Sequence, residues 1–420
     1  MTILPQTQDP SPPAPVGLSE RIVVLDVLRG FALLGILVVN IQSFAMIEAA
    51  YFNPTAYGDL TGLNRVVWAL TYVLFDQKFM TLFSIMFGAG VLLMTSRREA
   101  AGCASRALHY RRMGVLLLFG LVHAYLFWHG DILVYYAMCG AFVYAFRQRS
   151  PRFLMTLGLS LIAVASVILL LSGWSMPSWP AEEIAAFIQD LEPPPDKIAE
   201  ELAAFRQDWL GQVAHRAPLS LEFEILIFLV WGFWRAGGLM LIGMALLKLD
   251  VVTAARSTRF YANVARIGLV TGIPIVAYSI YRNVQSSWSV RELFFFNHQF
   301  NYWGSLLVSA GWMGLVMLAV KSGRFGFITR RLAAVGRMAL TNYLGHTIIC
   351  TLIFYGHGLG LFGRVERLGQ ILIVLAIWAL QLTVSPMWLR HFRFGPFEWL
   401  WRSLTYRRWQ PMRIRPGQHQ

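Results

Sequence analysis

Apolar residues along this chain come in long runs broken by short polar connections, a pattern that predicts buried or membrane helices rather than alternating strands. At about 20 apolar residues per span, ten segments qualify: 24–47, 79–96, 113–128, 131–147, 153–173, 222–247, 266–281, 302–320, 337–355 and 369–387. The third and fourth are short and meet at a tight turn, His129-Gly130-Asp131. Between the first two lie a loop from Ala49 to Leu63 and an interfacial helix around Val66 to Phe75 that ends at Asp76-Gln77-Lys78. Basic residues gather in alternate connections: Arg97, Arg98, Arg106, Arg111 and Arg112, then Arg147 to Arg152, Lys248 to Arg259, Lys321 to Arg331, and the tail from Arg390 to Arg415. The opposite side carries 174–218, rich in Glu and Asp around the break Pro193-Pro194-Pro195. That asymmetry predicts cytoplasmic termini and an outer 174–218 segment lying on the membrane as two short amphipathic helices.

The predicted architecture is therefore an all-α polytopic transmembrane bundle of about ten spans. Residues 21–173 and 219–410 form two membrane domains of five spans each, joined by the extracytoplasmic 174–218 segment and followed by a basic cytoplasmic tail, 411–420. Residues 1–20, with five prolines, read as a disordered tail. They are no signal peptide, because the first apolar run carries Asp26, Arg29 and Asn40 and is long enough to span. No internal repeat marks two transporter-like halves.

Composition adds the solvent. With 56% hydrophobic and 14% charged residues and a mean hydropathy of +0.53, the chain has more apolar surface than soluble cores can bury, so lipid takes the remainder. A net charge of +14, from 36 Lys and Arg against 22 Asp and Glu, would suggest nucleic acid in a soluble protein. Here the cations sit in short connections with no aromatic-interleaved stripe, which excludes that partner and leaves the lipid bilayer. Cys103, Cys139 and Cys350 read as small core residues.

Ionisable residues inside spans are costly and mark cavities or partners. Asp26 and Arg29, three apart, share a helix face near the cytoplasmic end of span one, with Asn40 eleven residues further and close to that face. They read either as an anchor and packing pair or as a track from an anion-binding end into the membrane. His123 lies within span three and suits proton transfer near neutral pH; Asp131 either caps span four or orients a histidine. His123, His129 and Asp131 match no standard metal-ligand spacing, so no metal is expected. Lys78 with Asp76 reads as an interfacial, snorkelling pair or as a binding charge. Arg235, amid Trp231, Trp234 and Gly237-Gly238, is a candidate phosphate ligand, and that glycine pair is the one obvious helix break. Asn342 and His346, at i and i+4 in span nine, form a polar face for an interhelical hydrogen bond or for substrate. Soluble-enzyme motifs such as a P-loop, GxSxG or HExxH do not occur.

These stretches resemble the YeiB-like bacterial membrane proteins, the "domain of unknown function 418" family. The matching text is Leu25-Asp26-x-x-Arg29-Gly30-Phe31-Ala32, Lys78-Phe79-x-x-Leu82-Phe83-Ser84, His123-x-x-x-Phe127-Trp128-x-Gly130-Asp131, Gly336-Arg337-Met338-Ala339-Leu340-Thr341-Asn342-Tyr343 and Gly395-Pro396-Phe397-Glu398-Trp399, within residues 21 to 410. The family is similar to the transmembrane acyltransferases, among them lysosomal heparan-α-glucosaminide N-acetyltransferase and the acyltransferase family 3 enzymes of bacterial envelopes. The resemblance implies a multi-pass inner-membrane protein that moves an acyl group, typically acetyl, from cytoplasmic acyl-CoA to an envelope glycan, lipid or small molecule. In the family 3 enzymes a catalytic histidine follows the motif arginine by eleven residues. Here that position is Asn40, so His123 becomes the candidate base, with Asp131 as its orienter and Asn40 as an oxyanion donor. Arg29 and Arg235, with Asp26 and Lys78, are then the candidate ligands of the anionic donor, and Asn342 and His346 of the acceptor; His123, Asn40 and Arg29 are expected in one cavity. The alternative reading is a permease for an anionic small molecule using the same cations, and a third is a scaffold or sensor without chemistry. A homo-oligomer is compatible with each.

Overall fold

The computed structural model describes residues 22–414; the Pro-rich 1–20, Arg21 and residues 415–420 lie outside them. Each of the ten predicted spans falls on a helix. The chain runs through α1 (Val23–Ala45), α2 (Glu48–Phe52), α3 (Gly62–Leu74), α4 (Lys78–Ala100), α5 (Arg106–Leu126), α6 (Leu133–Val143), α7 (Pro151–Ser175), α8 (Ala181–Leu191) and α9 (Pro195–Phe205). It continues through α10 (Trp209–Glu222), α11 (Phe233–Lys248), α12 (Thr258–Gln285), α13 (His298–Ser322), α14 (Gly326–Arg337), α15 (Ala339–Phe354), α16 (Arg367–His391) and α17 (Pro396–Tyr406). Among the described residues, seven helical stretches are long and apolar enough to cross a membrane, and two shorter apolar ones, Leu133–Phe146 and Ala339–Phe354, accompany them. The fold is an all-α membrane bundle. Leu372 and Val270, at 61% and 66% exposed, point outward on α16 and α12, as lipid-facing residues do.

Two expectations change. The 174–218 segment makes three helices rather than two: Pro195 starts α9 at a position where its missing N–H costs nothing, and Asp208 caps α10 by accepting from the Gly211 N–H at 2.9 Å. Gly237-Gly238 is no break either, because α11 runs straight through it, and Gly238 packs against the backbone of Gly158 in α7. The irregular backbone lies elsewhere, in wide π-helical turns at Phe223–Gly232 and Glu292–Asn297.

One end of the bundle is basic. There Arg147 meets Glu99 at 2.8 Å, Lys248 Nζ donates to the Arg149 carbonyl at 2.7 Å, and Arg111 donates to the Thr405 carbonyl at 3.1 Å. At this end α17 completes the start of α15. Glu398 accepts from the Leu340 and Thr341 N–H groups at 2.6 and 3.0 Å and from the Thr341 hydroxyl at 2.6 Å, which satisfies first-turn donors with an anion at the positive helix end. Glu398→Ala leaves those donors buried and unpaired; we expect a loss of about 1–3 kcal/mol, read as a lowered melting temperature.

The other end is a cap of 46–61, α8, α9 and 355–366. Arg206 donates to the Phe362 carbonyl at 2.8 Å, Arg367 to the Asp59 carbonyl at 2.8 Å, and Tyr57 to the Gly363 carbonyl at 2.7 Å. The Glu48 N–H donates to Glu201 at 2.9 Å. Burial, reinforced by Glu201, Glu222 and Asp190, pushes the Glu48 carboxyl up to about 8, and burial pushes Glu201 up to about 7. Raised acids favour the neutral form in the folded state, so their contribution is complete below the ordinary value of 4.5 and is lost as pH rises through 7–8. Amide exchange in α8 and α9, corrected for its intrinsic pH dependence, should therefore accelerate from pH 6 to 9. Glu201→Gln should flatten that rise, and an equal rise in the variant contradicts the assignment.

Candidate functional site

His123 stands near the cap end of α5, where its helix is about to stop. The last carbonyls of that helix are held by one buried side chain: Arg216 of α10 donates to the carbonyls of Tyr125, Leu126 and Phe127 at 3.3, 2.8 and 3.0 Å, a cation on the negative helix end. Ser220 adds a bond to the Ala124 carbonyl at 2.9 Å. The turn that follows returns Asp131 against α5, one helical turn below His123, where Gly120 leaves room: a Cβ there would sit 3.0 Å from Asp131 Oδ2 and 2.6 Å from the Val134 nitrogen.

Asp131 fills both roles that its position suggests. Oδ2 accepts from the Val134 N–H at 2.9 Å and so caps α6, while Oδ1 lies 2.7 Å from His123 Nδ1. His123 and Asp131 are 3% and 0% exposed, so this pair is dry. A carboxylate accepts, so Nδ1 carries the proton and Nε2 presents its lone pair. Opposite Nε2, at 2.8 Å, is the hydroxyl of Thr347 on α15. Tyr343, one turn earlier, lies with its ring 5.3 Å from the imidazole and accepts from the Ile132 N–H at 3.3 Å. The result is a hydroxyl, imidazole and carboxylate in line, the arrangement of nucleophile–base–orienter sites.

Sequence reasoning missed Thr347, Tyr343 and Arg216. Asn342 and His346, which it selected instead, sit one position earlier on α15 and face α16: Asn342 donates to Ser385 at 3.0 Å, and His346 Nε2 meets Gln381 at 2.9 Å. They hold two helices together. The period of four linking Tyr343 to Thr347 marks a second polar stripe beside theirs, and that was the available signal.

Lys78 is fully buried and does not snorkel. Its Nζ donates to Asn301 Oδ1 at 2.5 Å and to the Tyr72 carbonyl at 2.7 Å, and Asn301 passes the link to Asp76 at 2.6 Å. Arg235 of α11, also fully buried, donates to the Tyr302 carbonyl at 3.1 Å and to Ser305 at 2.7 Å and stacks on the Tyr302 ring at 4.3 Å. Arg29 pairs with Asp26 at 2.8 Å at the basic end, where the charges of Arg112 and Arg402 also gather. Asn40 is half-buried on α1, one turn before Phe44, whose ring stacks on Trp128 at 4.2 Å; Trp128 in turn lies 6.2 Å from the His123 ring. Arg29 and His123 thus lie in separate clusters rather than in the single cavity expected for them with Asn40, which is on the His123 side, and Arg235 belongs to a third cluster. At 1.5 Å per residue, His123 lies roughly 25 Å along α5 from its basic-end start and Arg29 only about 9 Å along α1 from its own. Among the described residues no three His, Cys, Asp or Glu side chains converge as metal ligands.

The model of a family described as "Protein of unknown function (DUF418)" matches residues 246–408, which include Tyr343, Thr347 and Glu398. The chain is 33% identical over 391 residues to "Uncharacterized protein YeiB" of Escherichia coli K12, an alignment that covers 92% of this chain and 97% of that one. It is 32% identical over 429 residues to "Uncharacterized protein YxaH" of Bacillus subtilis 168, with 95% and 97% covered. A Bacillus acidopullulyticus chain, "Uncharacterized 39.9 kDa protein in amylase 3'region", is 28% identical over 401 residues. Related along nearly its whole length to such chains, this multi-pass helical protein belongs to the YeiB-like DUF418 family.

Proposed function

We propose that the protein is an integral acyltransferase of the bacterial inner membrane, moving an acyl group, acetyl in the simplest case, from cytoplasmic acyl-CoA to an envelope glycan, lipid or small molecule. The observation that carries this reading is the buried His123–Asp131 pair with a hydroxyl at Nε2. In the reaction the acceptor hydroxyl takes the place that Thr347 now holds, while the threonine turns back to bond its own helix, as threonines do. Nε2 removes the acceptor proton, the oxygen attacks the thioester carbonyl, the C–S bond breaks, and the imidazolium returns its proton to the thiolate. Asp131 keeps Nδ1 protonated and steadies the positive charge. Asn40 is the oxyanion donor, and the Arg29 and Asp26 end of α1 receives the phosphates of the donor.

A second reading, a permease for an anionic small molecule, draws on the other cluster. Lys78, Asp76, Asn301 and Arg235 sit beside the wide turn at Glu292–Asn297, and among the described residues Arg235 Nε is buried without a hydrogen bond. Irregular backbone with buried charge is how carriers build their sites. Proteoliposomes supplied with acetyl-CoA labelled separately in the acetyl and nucleotide groups distinguish the two. The enzyme splits the labels, leaving CoA behind and passing the acetyl label to an acceptor; a permease leaves the two labels joined.

A further inference from the structure

At the basic end, α1, α13, α14 and α16 enclose a groove of 360 Å³, which shares only Asp26 with the chemistry above. Its floor is apolar, with Val27, Ala333 and Leu389, and three arginines, Arg330, Arg337 and Arg390, line it from two helices. Against these three cations the lining sets one carboxylate, Asp26, which also pairs with Arg29 at 2.8 Å, so the groove keeps an excess of positive charge. We propose that this groove binds the headgroup of an anionic phospholipid.

Three features select a lipid over a free anion. The approach to α14 and its first turn expose Phe325, Phe327 and Ile328, at 52%, 63% and 51%, while Arg331 folds over the Phe327 ring at 4.3 Å and donates to the Leu382 carbonyl of α16 at 2.8 Å. That is a helix with aromatic residues for the membrane boundary and cations for the headgroups. Next, α16 exposes Val384 and Met387 beside Pro386 of the groove, apolar surface for acyl chains. Finally, a phosphate ion would use the cationic rim alone, whereas an amphiphile covers rim and floor together. Basic residues in ordinary connections merely orient a membrane protein; here they surround a volume formed between helices, the setting in which lipid headgroups are held.

The test uses the full-length protein in phosphatidylcholine vesicles containing a minor fraction of spin-labelled phosphatidylglycerol, scoring the motionally restricted lipid against spin-labelled phosphatidylcholine. The wild type is expected to prefer phosphatidylglycerol. Arg330→Gln and Arg390→Gln, both at exposed positions, should each lower that preference about fivefold, and Ala333→Trp should abolish it by filling the groove without altering charge. If Ala333→Trp fails to fold, the two arginine variants decide. No preference in the wild type, an unchanged preference in the folded variants, or complete displacement of the lipid by inorganic phosphate overturns the assignment. The readout is binding alone, so the acyltransferase reading stands or falls separately.

Discussion

Asparagine in place of Asp131 is expected to lower acyl transfer about 10²–10⁴-fold, the range in which a positioned acid or base contributes, while the protein remains folded. The two oxygens explain why so conservative a change is severe. Oδ2 accepts from the Val134 N–H at 2.9 Å and Oδ1 from His123 Nδ1 at 2.7 Å, so both positions require an acceptor. An asparagine offers one acceptor and one donor. With its oxygen toward His123, its NH₂ opposes the Val134 N–H and loosens the start of α6; turned the other way, it forces the imidazole into the tautomer with hydrogen on Nε2, which cannot take a proton. The pH–rate profile separates this from a purely structural defect. A tautomeric change moves the apparent pKa of the rate, whereas a packing defect lowers the rate at every pH. A variant at wild-type rate removes Asp131 from the chemistry.

The second large effect is structural. At the crossing of α1 and α14 the backbones touch: a Cβ on Gly336 would run into the Asp26 carbonyl and lie 2.8 Å from the Gly30 nitrogen, and a Cβ on Gly30 would run into the Leu332 carbonyl. Neither obstacle is a side-chain tip that can swing away. Gly336→Val therefore has to push the helices apart, and overpacking of this kind costs about 1–3 kcal/mol and occasionally more; with backbone on both sides we expect at least the upper end. The variant should lose its monodisperse peak on size exclusion in detergent, with Gly336→Ala intermediate in thermal stability. The damage extends to function, because Asp26 and the lipid groove ride on the same crossing. Wild-type melting in Gly336→Val would show that α14 has room to move.

Spans were legible because one run of apolar residues decides each, wherever its partners come from. The His123–Asp131 pair was legible for a similar reason, since eight residues and a tight turn separate them. Contacts across the chain were not. Thr347 reaches His123 over 224 residues, Arg216 reaches the end of α5 over about 90, and Lys78 finds Asn301 over 223, which turns an apparent surface lysine into a buried one. Gly237-Gly238 misled for a related reason: glycine weakens a helix locally, but a neighbour's close backbone repays the loss, and only the fold reveals that neighbour. The choice of Asn342 and His346 over Tyr343 and Thr347 turned on a rotation of one residue around α15. Periodicity alone cannot say which of two adjoining stripes meets α5.

The proposed chemistry rests on one group, the Nε2 lone pair of His123. Its most direct test is acetyl-CoA turnover by wild-type protein and by His123→Ala, side by side in vesicles, with circular dichroism to show that both are folded. A base at this position predicts release of CoA by the wild type and a loss of roughly 10²–10⁴-fold in the variant. Equal turnover in the two proteins contradicts it.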